Sequence, residues 1–331
     1  MVATSHPLAT QIGIDILKSG GNAIDAAVAV GFALAVTSSG NGNIGGGGFL
    51  VAYKIDGTTF TIDHREVAPS KSSKDMFLDD FGNVIPGESL YTRAGSGVPG
   101  TVEGLIRAFE DHGSGKLSLQ EILKPAIKLS EEGFYLSYYE AQRLNAYKSF
   151  FEKNKAAKKI FTRQDNQPWK ENDKLVQLDL SKTLKRIARH GRDGFYTGPV
   201  AKMVVEEMKR GNGLISMNDL ASYTSKYRTP VKGTYKGYDI ISMGPPSSGG
   251  TLLVNMLNML ENFSEDSLKW NSSDYVHVMT EIQRRAYSDR AKHMGDPDYW
   301  EVPLGMFKSK EYAKIRSVSY THLTLPTKRI V

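Results

Sequence analysis

Apolar residues recur at helical spacing near the start of the chain, with Leu8, Ile12, Ile16 and Leu17 on one side. Ser5-His6-Pro7 supplies an N-cap and an early helical proline, and Gly20-Gly21 stops the helix. Residues 23–37 carry Ala, Val and Leu on every face and follow Asn22, a capping residue. A helix apolar all round is a buried helix. The period then switches. Residues 49–55 and 58–63 read as two strands joined by Asp56-Gly57. Residues 70–95 look like loop, with a turn at 79–83. Helical patterns return at 101–112, 119–132, 135–159, 179–190 and 199–210, with a short one at 219–223. A second hairpin, 231–234 and 238–242, turns at Tyr235-Lys236-Gly237. Gly249-Gly250 opens a helix at 251–261, and a long helix occupies 274–292. No fixed-period repeat or low-complexity linker interrupts this order, so one domain is the economical expectation.

Between the buried helix and the first hairpin lies Gly42-Asn43-Ile44-Gly45-Gly46-Gly47-Gly48-Phe49, and the second strand ends in Asp63-His64-Arg65-Glu66. Consecutive glycines permit backbone conformations that side chains forbid, and they let another segment or a ligand approach the main chain. Helix, glycine turn, hairpin and charged cluster make a site-like arrangement. It is not a common phosphate loop. The Walker pattern closes with Gly-Lys-Ser/Thr before a helix, whereas Phe49 and a strand follow here. The dinucleotide fingerprint runs strand, glycines, helix, the reverse of this order.

Composition narrows the function classes. The 331 residues suffice for a substantial core, and the net charge of +6 with pI about 9.1 is modest. No basic run with interleaved aromatics reads as a nucleic-acid surface. The densest cluster, Lys153-Asn154-Lys155-Ala156-Ala157-Lys158-Lys159, reads as a solvated helix face. The absence of cysteine excludes disulfides, thiolate catalysis and cysteine-ligated metals. No apolar run reaches the ~18 residues of a membrane span. The histidines His6, His64, His112, His190, His277, His293 and His322 form no metal-ligand spacing, and no Gly-x-Ser-x-Gly nucleophile elbow occurs.

Arg65 stands apart from the other charged residues. It follows a strand beside the glycine run, flanked by Asp63, His64 and Glu66. Its planar fork of donors suits bidentate capture of a carboxylate. The residues alone favour an ordinary strand-end ion pair with Asp63 or Glu66. Pro245-Pro246-Ser247-Ser248-Gly249-Gly250 leads into a helix N-terminus whose free N–H groups could bind an anion. A tight connection capped by Ser247 or Ser248 is the preferred reading there. Arg284, Arg285 and Arg290, with Glu281 and Asp289 on one helix, read as structural ion pairs.

Several segments in one order carry a resemblance. They are Met1-Val2-Ala3-Thr4-Ser5-His6-Pro7-Leu8-Ala9, Gly20-Gly21-Asn22-Ala23-Ile24-Asp25-Ala26-Ala27-Val28-Ala29, the glycine run, and the segment from Asp63 through Arg65-Glu66-Val67-Ala68-Pro69. Gly97-Val98-Pro99-Gly100-Thr101-Val102, Leu220-Ala221-Ser222-Tyr223, Pro245-Pro246-Ser247-Ser248-Gly249-Gly250-Thr251, Arg285-Ala286-Tyr287-Ser288-Asp289-Arg290 and Met294-Gly295-Asp296 continue the series. Together they resemble the large-subunit region of the γ-glutamyltranspeptidase (glutathione hydrolase) family, over residues 1–317. The resemblance implies an α/β fold of the N-terminal-nucleophile hydrolase type, an αββα sandwich whose sheets draw strands from two subunits. It implies glutathione or another γ-glutamyl compound as substrate, no cofactor and no metal. It also implies that Arg65 contacts the α-carboxylate of the γ-glutamyl group. A periplasmic or extracellular location goes with the family. Neither nucleic acid nor a membrane is among the expected partners. The alternatives that stay open are a related cephalosporin-type acylase and a non-catalytic binding fragment.

The family is made as a precursor that cleaves itself, and the threonine at the new N-terminus becomes the nucleophile. Thr321-His322 superficially resembles that processing site. Tyr320 replaces a small polar residue, the spacing from Met294-Gly295-Asp296 is short, and ten residues follow Thr321. Thr321 is therefore read as a decoy. Residues 318–331 depart from the family pattern and are read as a non-native tail, with the nucleophile and the missing small subunit beyond this chain. Met1-Val2-Ala3 looks like the end of a short strand that family members carry after an export signal. A trimmed N-terminus is the corresponding expectation, since no signal peptide precedes the first helix. Without the partner's strands, two exposed sheet edges and uncovered apolar faces such as residues 23–36 are expected.

Overall fold

The computed structural model describes residues 1–38, 40–264 and 268–318. Its first elements are α1 (Pro7–Lys18), α2 (Ala23–Thr37), β1 (Phe49–Tyr53), β2 (Thr59–Asp63), α3 (Glu88–Tyr91), a 3-10 turn at Arg93–Gly95, α4 (Thr101–His112) and α5 (Leu119–Glu132). Then come β3 (Phe134–Tyr135), α6 (Tyr138–Ala146), α7 (Lys148–Phe151), α8 (Lys155–Phe161), β4 (Lys174–Leu175), α9 (Leu178–His190), α10 (Asp193–Tyr196), α11 (Gly198–Lys209) and α12 (Met217–Ser222). The last are β5 (Lys226–Arg228), β6 (Val231–Tyr235), β7 (Tyr238–Ser242), α13 (Gly249–Leu260), α14 (Ser273–His293), α15 (Leu304–Lys308) and α16 (Lys310–Val318).

Capping chemistry starts many of these helices. The Asn22 side chain accepts from the N–H groups of Ile24 and Asp25, and the Asp25 carboxylate accepts from the Asn22 N–H at 2.8 Å. Ser118 with Glu121, Ser137 with Glu140 and Ser216 with Asp219 build the same reciprocal box. Capping also corrects one expectation. Residues 135–159 are not one helix. Phe134–Tyr135 is a strand, Ser137 opens α6, and Asn154 opens α8 by accepting from Ala156 and Ala157. Side chains that satisfy first-turn donors favour a new start over continuation. The lysines of this cluster, Lys153, Lys155, Lys158 and Lys159, are all exposed.

Residue contacts divide the chain into two compact units, a division that its even composition does not signal. The first comprises Met1–Gly48 and His64–Ser225. At its centre α2 packs against α1, α4 and α5, and α5 packs against α9. Val28, Ala29, Phe32, Ala33 and Val36 are fully enclosed. Each large apolar side chain so buried contributes roughly 1.5–3 kcal/mol. The apolar helix is thus already covered within its own unit, so it does not form the uncovered face the sequence suggested. Asp25, also enclosed, keeps its charge satisfied by accepting from Ser114 as well as from Asn22.

The second unit comprises Phe49–Asp63 and the described residues from Lys226 onward. Its three-stranded antiparallel sheet runs β1-β2-β5, with Phe49 opposite Asp63 and Ile62 opposite Tyr227. Arg228 on β5 reaches the buried Asp63 at 3.1 Å and Asp298 at 2.7 Å. The bonds from Arg228 and Lys226 hold the Asp298 carboxyl well below the usual carboxylate range. β6 and β7 form the second hairpin, where Lys236 and Gly237 both adopt left-handed φ, 47° and 84°. α13 packs on this hairpin and on α14, α15 and α16 around Leu252, Met259, Val278, Ile282, Ala286, Phe307 and Ala313. Helix and sheet are mixed, and no sheet among the described residues closes into a barrel.

Candidate functional site

The segment that carries Arg65 is fixed along its backbone. His64 exchanges hydrogen bonds with Gly48, N–H to O at 3.1 Å and O to N–H at 3.2 Å. Val67 exchanges a second pair with Val98, at 3.3 and 2.8 Å. Between these anchors the Arg65 carbonyl accepts from the Tyr223 hydroxyl at 2.8 Å. The Arg65 side chain itself is exposed. The Arg65 cation is thus mounted on a stiff strand-like support.

The glycine run makes that support possible by closeness, not by unusual dihedrals. None of Gly45, Gly46, Gly47 and Gly48 adopts a left-handed φ. At Gly47 a Cβ would lie 2.5 Å from the His64 carbonyl, 2.8 Å from the Glu66 nitrogen and 2.9 Å from Arg65 Cα. Side chains essentially never come that near to backbone. The Gly46 carbonyl also accepts from Gly100 at 2.7 Å and Thr101 at 3.0 Å, which ties the run to the start of α4.

Tyr223 is held as firmly as the segment it serves. It is buried, and its ring stacks on Tyr196 with centroids 5.7 Å apart and planes within 6°. Tyr196 donates to the Pro99 carbonyl at 2.7 Å, and burial pushes its phenol well above the ordinary range. Arg192 lies over the Tyr196 ring and donates to the carbonyls of Ala221 and Tyr223, both at 2.7 Å. The sequence singles out Arg65 but assigns no role to Tyr223. Its signal was there in Leu220-Ala221-Ser222-Tyr223, yet no local rule predicts a contact across 158 positions.

Among the described residues no group of three or more His or acidic side chains could hold a metal ion, and no helix is long and apolar enough to cross a membrane. The Pro245–Pro246 bond is cis, and Ser247 accepts from Gly249 at 3.2 Å in the tight connection the sequence favoured. Arg284 and Arg285 pair with Glu281 at 2.6 and 2.7 Å, as structural ion pairs. Asp289 instead pairs with Arg316 from α16, and Arg290 donates to the Ser248 hydroxyl. Thr321 lies outside the described residues.

A sequence model of the gamma-glutamyltranspeptidase family matches residues 9–327. The chain belongs to this family. It is 45% identical over 314 residues to the glutathione hydrolase proenzyme of Escherichia coli strain K12, covering 95% of this chain and 54% of that protein. It is 36% identical over 322 residues to the acylase ACY 1 proenzyme of Pseudomonas sp. strain SE83, covering 96% of this chain and 57% of that protein. The chain therefore spans about half the length of the curated relatives it matches. The crystal structure of Helicobacter pylori γ-glutamyltranspeptidase superposes with a TM-score of 0.95 at 44% identity, covering 100% of this chain and 95% of that one. The mixed helix-and-sheet fold is that of the γ-glutamyltranspeptidases, the N-terminal-nucleophile hydrolase type.

Proposed function

We propose that this chain is the large-subunit part of a γ-glutamyltransferase/glutathione hydrolase, and that Arg65 holds the α-carboxylate of the γ-glutamyl donor. The observation that carries the reading is an exposed arginine on a backbone anchored at His64, Arg65 and Val67, in a member of this family. The nucleophile and the rest of the pocket would come from a small subunit made by self-cleavage. A periplasmic or extracellular site of action accompanies this reading.

In the proposed reaction the hydroxyl of an N-terminal threonine attacks the γ-carbonyl carbon, and its proton passes to the threonine's own α-amine. The amide C–N bond breaks, and the leaving amine takes that proton. The γ-glutamyl group remains as an ester on threonine. Water then releases glutamate, or an acceptor amine takes the group as a new γ-glutamyl amide. The task of Arg65 is binding and orientation. Two parallel N–H···O bonds fix both the position and the plane of the carboxylate.

The test uses the processed two-subunit enzyme that contains this chain. Arg65→Ala is expected to lower kcat/KM for a γ-glutamyl anilide by roughly 30-fold to several-thousand-fold, the usual consequence of losing one partner of a desolvated charge pair. Self-cleavage should stay largely intact. Arg65→Lys should rescue only in part, because an ammonium keeps the charge without the fork. Unchanged kcat/KM in a folded, processed Arg65→Ala enzyme would remove Arg65 from the site.

The likeness to an acylase proenzyme supports a second reading, an acylase, for which a cephalosporin-type amide would be the substrate. The Arg65-Glu66-Val67-Ala68-Pro69 context favours the γ-glutamyl donor. Parallel assays with the anilide and with a cephalosporin side-chain amide separate the two.

A further inference from the structure

We propose that Tyr223 is a positioning residue for the γ-glutamyl donor, acting through the main chain of Arg65. The inference rests on reading Arg65 as the holder of the donor's carboxylate.

Three observations carry it. The Tyr223 hydroxyl donates to the Arg65 carbonyl at 2.8 Å, so the contact falls on the residue that bears the guanidinium. The flanking anchors, at His64 and Val67, are backbone bonds, and between them the Tyr223 side chain fixes that carbonyl. Space around the hydroxyl is also closed. A Cβ at Gly100 would lie 2.1 Å from both the Tyr223 hydroxyl and the His64 carbonyl, so helix α4 begins hard against this contact. The ring cannot swing away, because Tyr196 stacks on one face and Arg192 grips the Tyr223 and Ala221 carbonyls.

The physical consequence is a split in kinetics. A bidentate pair tolerates little rotation of its support, so loosening the Arg65 peptide plane weakens donor capture. Tyr223 is not the nucleophile and donates no proton to the reacting atoms in this scheme. The chemical step and acceptor use should therefore survive its change.

The experiment is a double-mutant cycle in the processed two-subunit enzyme. Tyr223→Phe keeps the stacked ring and deletes the hydroxyl. We expect the donor KM to rise about 3- to 30-fold, the range for losing one buried hydrogen bond, with kcat within about twofold. The acceptor KM should be unchanged. In an Arg65→Ala background, Tyr223→Phe should add nothing further to the donor KM. Melting temperature is measured on every preparation, and Tyr223→Leu serves as the variant in which ring packing is lost as well. An unchanged donor KM in Tyr223→Phe overturns the proposal. So does an equal effect with and without Arg65, which would mark a general structural role. If Arg65→Ala itself leaves the donor KM unchanged while Tyr223→Phe raises it, the reading of Arg65 fails and Tyr223 acts by another route.

Discussion

At the scale of single residues, the same glycine run contains positions with opposite constraints. Gly45 faces open space, with nothing within 4 Å of a built Cβ. Gly47 faces backbone atoms at 2.5–2.9 Å, and backbone cannot step aside as a flexible side chain can. Gly47→Ala is expected to destabilise the protein by about 1–3 kcal/mol, the range for overpacking a tight site. Gly45→Ala should stay within about 0.5 kcal/mol, as exposed substitutions usually do. Denaturant unfolding of the two variants checks this. Equal midpoints would mean that the loop relaxes freely and that the run does not fix the Arg65 segment.

At the scale of elements, capping boxes decide where helices begin, and one also ties a helix to a distant loop. Asp219 closes the box of α12 through Ser216, and it accepts from the Ser70 N–H at 2.9 Å. Desolvation works against its charge, but the donors of Ser216 and Ser70 outweigh it and hold the carboxyl down at about 2. The folded value lies below the ordinary aspartate value of 3.8. The carboxylate therefore contributes stability that is complete above about pH 4 and is lost as pH falls through about 2. Asp219→Asn should lower the melting temperature at neutral pH, and the gap to wild type should close between about pH 4 and 2. A gap that is constant across that window would show that the ionised form carries no advantage. Because α12 leads directly into Tyr223, the same variant tests whether this cap helps hold the Arg65 support.

At the scale of the whole molecule, the proposal of a two-subunit enzyme has a direct consequence for this chain alone. β1 is an edge strand that pairs only with β2 among the described residues, and it exposes Val51 and Tyr53. Open edges with apolar side chains favour association. The isolated 331-residue chain is expected to lack turnover of a γ-glutamyl anilide and to self-associate in light scattering. A monodisperse monomer with turnover abolished by Thr321→Ala would overturn that expectation and make Thr321 the nucleophile.

Local chemistry in the sequence determined a good deal. Capping residues, helical periodicity and glycine turns set α2, α4 and α5 at the residues expected, because their signals lie within one or two helical turns. The Asp56-Gly57 and Lys236-Gly237 turns likewise announced their hairpins. The order of motifs identified the family, and the role proposed for Arg65 comes from that resemblance. Tertiary structure alone decided the rest. The two-residue strands β3 and β4 have too few positions to show a period, and β5 is scarcely longer. The division into two units arises because residues 49–63 join strands that return near residue 226, a contact written nowhere in the intervening composition. Why Gly47 must be glycine, and why Tyr223 meets Arg65, also depends on segments brought together from far apart in the chain. Such contacts follow from packing of the whole, where the physical constraint is closeness in space and local sequence carries no record of it.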